Sequence, residues 1–180
     1  MTHVAVLVGS LRADSVNRQV AESLKAQAPE GVEVEIVEGL ADVPFYNEDI
    51  DGAQVPAAAA ALRAQVASAD RVLVVTPEYN ATMPAVLNNA IDWLSRPYGQ
   101  GAITGKPLGV VGVTPTPYGG KWAHEDTQKS AKIAGAVVVE DVTVSQTSID
   151  IDVLNDPEVQ SKLRGALDTL VAFEAEASAA

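Results

Sequence analysis

The 180-residue sequence contains no cysteine and only two histidines. Without cysteine, the chain forms no disulfide bridge, thiolate zinc site or iron–sulfur cluster, and it has no cysteine nucleophile. His124 begins the run His-Glu-Asp-Thr-Gln, which is one histidine short of the zinc-protease pattern, and His3 is interpreted as a strand-edge residue. We therefore expect no metal site.

Basic residues are also scarce, with 12 Lys and Arg against 24 Asp and Glu and a formal net charge of −12. Nucleic-acid binding requires a dense basic surface, so no nucleic-acid partner is expected. Acidic residues such as Glu48, Asp49 and Asp51 are interpreted as a solvated surface. No apolar run approaches the ~20 residues of a membrane span, and Val4 to Val8 is too short for a signal-peptide core. We expect a cytoplasmic protein with no membrane partner and a single domain over residues 1–180.

Three common phosphate-handling patterns are missing. Gly-x-Gly-x-x-Gly does not follow the first predicted strand, and Gly-x-x-x-x-Gly-Lys-[Ser/Thr] occurs nowhere. A phospho-acceptor receiver would need adjacent acids after the first strand and an aspartate after the third, where this chain has Gly9-Ser10 and Pro77. Dinucleotide-fold dehydrogenases, P-loop NTPases and receivers are therefore disfavoured.

Short apolar, β-branched runs alternate with stretches of helical spacing, which predicts an α/β fold. The predicted strands are Val4–Val8, Val32–Val37, Val72–Thr76, Leu108–Val113 and Ala136–Val139. The predicted helices are Ser15–Ala28, Val55–Ala69, Pro84–Leu94, Lys121–Ala134 and Pro157 to about Ala175. Such alternation requires a parallel sheet with helices on both faces, and five strands suit the flavodoxin-like order 2-1-3-4-5. Ligands of these sheets bind beyond the carboxyl ends of the strands.

The loop after the first strand carries donors that suit a phosphate group. Gly9 permits a sharp turn, and the helix that follows offers free amides at its positive end. Ser10, Arg12, Ser15 and Asn17 add two hydroxyls, a guanidinium and an amide. We interpret the loop as a phosphate site. In the alternative interpretation Ser15 only caps the helix, Asn17 is solvated and Arg12 pairs with a surface carboxylate.

The loops after the third and fourth strands also end in turn residues. Pro77 and Pro84 stiffen the first of these, and its amides and Tyr79 suit a flat heterocycle. An ordinary β–α turn with a half-buried tyrosine is the alternative. Next to a phosphate site, the loop favours a mononucleotide that spans both. The fourth strand is followed by a further turn that ends at Gly119 and Gly120, just before a helix.

These three loops resemble those of the NADPH-dependent FMN reductase family, flavodoxin-like proteins that include quinone, azo-dye and chromate reductases. The resemblance covers most of the chain. In that family a Gly-Ser-Leu-Arg-x-x-Ser-x-Asn loop holds the FMN phosphate, which implies this role for Ser10, Arg12, Ser15 and Asn17. A Pro-Glu-Tyr-Asn loop holds the isoalloxazine, which implies Pro77, Glu78, Tyr79 and Asn80. The Thr-x-x-x-x-Gly-Gly loop is matched by Thr114, Gly119 and Gly120.

The resemblance implies an FMN-dependent oxidoreductase that takes hydride from NADPH or NADH. Its small-molecule electron acceptor would be a quinone, free flavin, azo compound or metal oxyanion. No catalytic side chain is expected, because the redox chemistry belongs to FMN. The family also implies a homodimer or a dimer of dimers. A flavodoxin-type electron carrier without direct NAD(P)H reactivity remains the alternative, although Arg12 differs from the Thr/Ser-rich phosphate loop of flavodoxins.

Overall fold

A computed structural model describes residues 1–174, which fold around one five-stranded parallel sheet. Its strands are β1 Thr2–Val8, β2 Val32–Ile36, β3 Arg71–Val75, β4 Pro107–Thr114 and β5 Val137–Thr147. They lie in the order β2-β1-β3-β4-β5, which confirms the predicted flavodoxin-like topology.

Five α-helices cover both faces of the sheet. They are α1 Val16–Ala26, α2 Ala57–Ala67, α3 Ala85–Leu94, α4 Lys121–Ile133 and α5 Pro157–Ala172. One core joins α1 and α5 to the sheet, and the other joins α2, α3 and α4. The last helix ends before Ala175, the predicted end, which lies outside the described residues. Within residues 1–174, no helix combines the length and the apolar composition needed to cross a membrane.

The middle of each central strand is a continuous apolar run because both faces of the strand are covered, as in Val72–Val75 of β3. In β3, Val72 and Val74 pack into the core of α2, α3 and α4, while Leu73 and Val75 pack into the core of α1 and α5. All four are fully buried. Side chains alternate between the faces of a strand, so two covered faces remove the polar alternation of a half-exposed sheet.

The fifth strand is longer than predicted. It continues to Thr147, whereas the sequence prediction ended it at Val139. Its pairing with β4 shifts between Leu108 and Val110, where Val138 and Thr143 are the successive partners. The intervening residues form a bulge that includes the exposed Glu140 and Asp141. Charged residues usually mark the end of a buried strand, so the sequence prediction ended β5 before them. An edge strand with a bulge tolerates charged residues that a central strand does not, and β5 therefore continues past them.

The connection between β2 and α2 is fastened to α2 and α3 by an ion pair. The Arg63 guanidinium donates two hydrogen bonds, of 2.7 and 2.8 Å, to the Asp51 carboxylate, and its Nε donates to the Trp93 carbonyl at 2.9 Å. The Asp51 and Arg63 side chains are only 10% and 19% exposed. The interpretation of Asp51 as a solvated surface acid was therefore wrong. The Arg63 hydrogen bonds hold the pKa of the Asp51 carboxyl below its usual value.

We predict that Asp51→Asn lowers the free energy of unfolding at pH 7 by about 2 kcal/mol, because it leaves the Arg63 charge without its partner in a largely buried site. The folded carboxyl has the lower pKa, so the pair stabilises the protein above about pH 5. This contribution is lost as the pH falls below about 4. Urea unfolding of both proteins at pH 7 and at about pH 3 measures the difference, with the exposed Asp49→Asn as control. An equal loss at both pH values would contradict the assignment.

Candidate functional site

A cleft of about 410 Å³ opens at the carboxyl edge of the sheet, where four loops meet. We call it the loop cleft. Its lining residues are Ser10, Arg12, Ser15, Val16, Asn17, Pro77, Glu78, Tyr79, Val113, Pro115, Thr116 and Ser148. The structure thus brings together seven of the eleven predicted site residues: Ser10, Arg12, Ser15, Asn17, Pro77, Glu78 and Tyr79. The volume falls in the range of roughly 300–1,000 Å³ that is typical of small-molecule and cofactor sites.

The loop between β1 and α1 presents free donors to this cleft. Among residues 1–174, no acceptor meets the backbone N–H groups of residues 10–17, and Arg12 makes neither a hydrogen bond nor an ion pair. Ser15 caps α1 by accepting a 3.3 Å hydrogen bond from the Arg18 amide. A helix N-terminus with free amides and a guanidinium is a suitable environment for a phosphate group. These orphaned donors therefore fit the phosphate of a mononucleotide.

Arg18 is not available to the same ligand. Its guanidinium is held by Glu38 at 2.5 and 3.1 Å and by Glu22 at 3.0 Å. The Glu38 and Glu22 carboxylates raise the pKa of Arg18 and stabilise its charge. The two arginines of this region thus differ. Arg18 forms ion pairs with Glu22 and Glu38, while Arg12 has no partner among the described residues and is available to a ligand.

Asn17 lines the cleft but also joins α1 to the sheet. Its Nδ2 donates to the Val113 carbonyl at 2.8 Å, and its Oδ1 accepts from the Val113 amide at 2.9 Å. The side chain is buried, and one N–H of its amide group remains for a ligand. Asn17 is therefore not solvated, and its main contacts are with the end of β4.

The loop between β3 and α3 contains a tight two-residue turn. Tyr79 and Thr82 exchange backbone hydrogen bonds of 3.0 and 3.1 Å. Between them, Asn80 and Ala81 have φ of 52° and 59°. These are the values of a type I′ turn, which requires positive φ at both central positions. Tyr79 is 48% exposed and lines the cleft, whereas Asn80, at the tip of the turn, does not.

Glu78 fastens this loop to α4. Its Oε2 accepts a 3.0 Å hydrogen bond from the Ala123 amide in the first turn of that helix. A carboxylate is favourable there because it satisfies a free amide at the positive end of the helix. The Thr82 hydroxyl also donates to the Asp126 carboxylate on the same helix. The loop and the start of α4 therefore form one connected unit.

The loop between β4 and α4 contributes different residues from those the sequence indicated. Thr114 is buried, with its Oγ1 3.0 Å from the Thr116 hydroxyl. Gly119 and Gly120 adopt positive φ at the start of α4 and do not line the cleft. Pro115 and Thr116 line it instead, together with Ser148 from the loop after β5. Sequence reasoning missed Ser148 because it follows a strand whose end was misplaced.

His124 lies buried beneath the third of these loops. Its Nδ1 is 2.8 Å from the Ser145 hydroxyl, and its Nε2 has no hydrogen-bond partner within the described residues. Burial lowers the pKa of His124 to about 4, so the imidazole is neutral at physiological pH. In residues 1–174, no three His, Asp or Glu side chains come together as a metal ion would require.

Comparison with known proteins gives consistent matches. Residues 2–149 match the family described as NADPH-dependent FMN reductase. A quinone reductase of Pseudomonas putida is 48% identical over 127 residues, which cover 71% of this chain and 68% of that protein. An NAD(P)H-dependent FMN reductase of Pseudomonas aeruginosa is 33% identical over 161 residues, or 89% and 78% of the two chains.

A solved structure with a similar fold is FerB, a flavoenzyme NAD(P)H:(acceptor) oxidoreductase from Paracoccus denitrificans. It superposes with a TM-score of 0.83 at 32% sequence identity, covering 95% of this chain and 96% of FerB.

We predict that Ala81→Gly stabilises the protein by about 0.5 kcal/mol. A left-handed conformation costs a non-glycine residue roughly 1–2 kcal/mol, and glycine loses part of this gain to its greater unfolded-state entropy. Thermal unfolding measures the change. The exposed α2 residue Ala61 provides the control, because Ala61→Gly should destabilise by about 1 kcal/mol. Destabilisation by both substitutions would contradict the positive φ at Ala81.

Proposed function

The chain belongs to the NADPH-dependent FMN reductase family and is an FMN-dependent NAD(P)H oxidoreductase, and we propose that its loop cleft is the FMN site. One observation carries the proposal. The cleft joins the free hydrogen-bond donors of residues 10–17, which suit a phosphate group, to the stiff loop between β3 and α3. A phosphate at one end and a flat ring at the other would use both.

In this proposal, the phosphate is held by the amides after β1 with the Ser10 and Ser15 hydroxyls and the Arg12 guanidinium. Asn17 contributes its remaining N–H. Pro77, Glu78, Tyr79 and Asn80 form the ring-binding loop. Thr114, Gly119 and Gly120 shape the third loop, which brings Pro115 and Thr116 to the cleft. When bound, FMN supplies the redox chemistry by accepting two electrons from NAD(P)H and passing them to an acceptor.

The ring-binding loop would stabilise charge on the reduced cofactor. Among residues 1–174, no acceptor meets the amides of Glu78 and Asn80. Amide donors held in place by a type I′ turn need little reorganisation when negative charge develops nearby. The loop is held from both sides, by Pro77 after β3 and by the Glu78 and Thr82 contacts with α4. No side chain of this chain is assigned as a general acid or base.

We propose a quinone as the acceptor. The relatives that support this include the Pseudomonas putida quinone reductase named above. The overall reaction would convert NAD(P)H, one proton and a quinone into NAD(P)⁺ and a hydroquinone. The electron-carrier alternative is less well supported, because the relatives are named as reductases.

We also propose a homodimer or a dimer of dimers in the cytoplasm, where NAD(P)H is available. The groove between α3 and α4 supports a contact between copies, because Ile133 lines it and is 72% exposed. Sedimentation velocity would show a mass two or four times the chain mass of 18.7 kDa. A single monomeric species at micromolar concentration would contradict this assembly.

The function is tested anaerobically. The purified protein is incubated with FMN, free flavin is removed, and the visible flavin absorbance is followed on addition of NADPH or NADH. Rapid bleaching is expected, with a rate that ranks the two donors. A yellow protein that does not bleach would indicate the electron carrier instead, and a colourless protein would remove the FMN assignment.

Arg12→Ala should raise the FMN dissociation constant roughly tenfold to hundredfold, because it removes a charge-assisted hydrogen bond to phosphate. Isothermal titration with FMN and with riboflavin, which has no phosphate, measures the effect. The riboflavin affinity should change by less than twofold. Arg164→Ala is the control, since Arg164 is exposed on α5 and bonds only to Gln27 among the described residues. Equal FMN affinities for the two variants would reject the phosphate assignment.

A further inference from the structure

Two exposed aromatic side chains pack against each other at the start of α4. Tyr118 is 58% exposed and Trp122 is 41% exposed. Their ring centroids lie 4.7 Å apart, with 52° between the planes. Tyr and Trp combine an apolar ring with a polar tip, so two that pack together at the surface form an apolar face on which a planar ligand or a protein can pack. We call these two residues the aromatic pair.

The aromatic pair lies beside the loop cleft. The loop that lines the cleft with Pro115 and Thr116 reaches Tyr118 two residues later. On the other side, Glu78 lines the cleft and binds the Ala123 amide, next to Trp122. Residues of the cleft therefore flank the pair from both directions. The cleft itself has the volume of a cofactor site, so a second planar molecule would have to lie at its rim.

The charges near the pair favour an uncharged ligand. Glu78, Glu125 and Asp126 place three carboxylates on or against the first turns of α4. Lys121 is the one cation of this turn, and its Nζ lies 3.7 Å from the Glu125 carboxylate. The chain as a whole carries a formal net charge of −12. Carboxylates at short range and a negative field at long range both repel anions.

We propose that the aromatic pair binds the ring of a neutral, planar acceptor, a quinone, while FMN lies in the cleft. This inference rests on the proposed function and assigns the place where its quinone binds. Stacking and apolar contact with Tyr118 and Trp122 supply the affinity. The carboxylates select against acceptors that carry negative charge, such as metal oxyanions and free FMN. They also disfavour the alternative that the adenine ring of the hydride donor stacks here, because its diphosphate would approach the same carboxylates.

Tryptophan fluorescence tests binding without turnover. The chain has two tryptophans, and Trp93 is fully buried, so Trp122 is the one in contact with solvent. Oxidised, FMN-loaded protein is titrated with 2-methyl-1,4-naphthoquinone in the absence of NAD(P)H, with N-acetyltryptophanamide correcting for absorption by the quinone. Saturable quenching is expected, and Trp122→Phe should remove the saturable component. A separate titration with NADP⁺ tests whether the hydride donor, rather than the quinone, binds at the aromatic pair.

Steady-state kinetics tests the role of the pair in selectivity. Replacing both residues by alanine should raise the KM for the naphthoquinone about tenfold, corresponding to the loss of ring stacking and apolar contact. Ferricyanide is an anion without a planar face, and the factor by which its KM rises should be at least five times smaller than the factor for the naphthoquinone. Trp122→Phe keeps an aromatic ring and should restore most of the affinity. Tyr98→Ala removes an exposed tyrosine on the α3–β4 connection and is the control.

The outcomes separate the possible ligands. An unchanged naphthoquinone KM in the double variant, or quenching that persists in Trp122→Phe, would overturn the proposal. Saturable quenching by NADP⁺ but not by the quinone would assign the pair to the hydride donor and overturn it equally. A smaller sedimentation coefficient of the double variant would assign it to an interface between copies. Failure of the wild-type protein to bleach with NAD(P)H would instead reject the proposed function, whatever the quenching shows.

Discussion

The site depends on how closely three strands approach one another at Thr76. A Cβ atom at Gly9 would lie 2.4 Å from the Thr76 Oγ1, and one at Gly112 would lie 1.9 Å from the Thr76 carbonyl oxygen. Neither contact is sterically allowed, so glycine is required at both positions, Gly9 after β1 and Gly112 in β4. The Gly9 amide donates to the Val75 carbonyl, and the Thr76 amide donates to the Val111 carbonyl. The ends of β1, β3 and β4 are thereby held side by side, and the loops that leave them share one cleft.

Three side chains from other parts of the chain stabilise this arrangement. Asn17 binds both backbone groups of Val113, which is 96 residues away, and Glu78 caps α4 at Ala123, 45 residues away. His124 lies close to the same crossing, because a Cβ at Gly112 would fall 2.7 Å from its Nε2. A neutral imidazole can be buried there, whereas a charged one would require a compensating partner. The cleft is thus preorganised before any ligand binds.

The fold was predictable because its signals are local and repeated. Continuous apolar strands and helical spacing predicted the parallel sheet, and five such strands suit the order 2-1-3-4-5, which the structure has. The free amides of the loop between β1 and α1 were predictable, since a glycine turn before a helix N-terminus offers such donors whatever the tertiary context. The structural contacts of Asn17 and Glu78 were not predictable. An amide or a carboxylate is equally suited to a ligand and to a backbone partner, and the choice depends on contacts distant in sequence. The same reason explains Asp51, whose partner Arg63 lies on a helix that the sequence did not place beside it.

An acidic protein that binds an anionic cofactor must confine its positive potential to one place. In this chain, Glu22 and Glu38 neutralise Arg18, which leaves Arg12 and the free amides to meet a phosphate. Amide dipoles act over a short range and in fixed directions, so in the proposed site they would stabilise a phosphate inside the cleft without attracting anions to the surface outside. The carboxylates near Trp122 oppose anions at the rim of the same cleft. In the proposed arrangement, directional donors within the cleft and uncharged aromatic rings beside it would allow an anionic cofactor and a neutral acceptor to share one site.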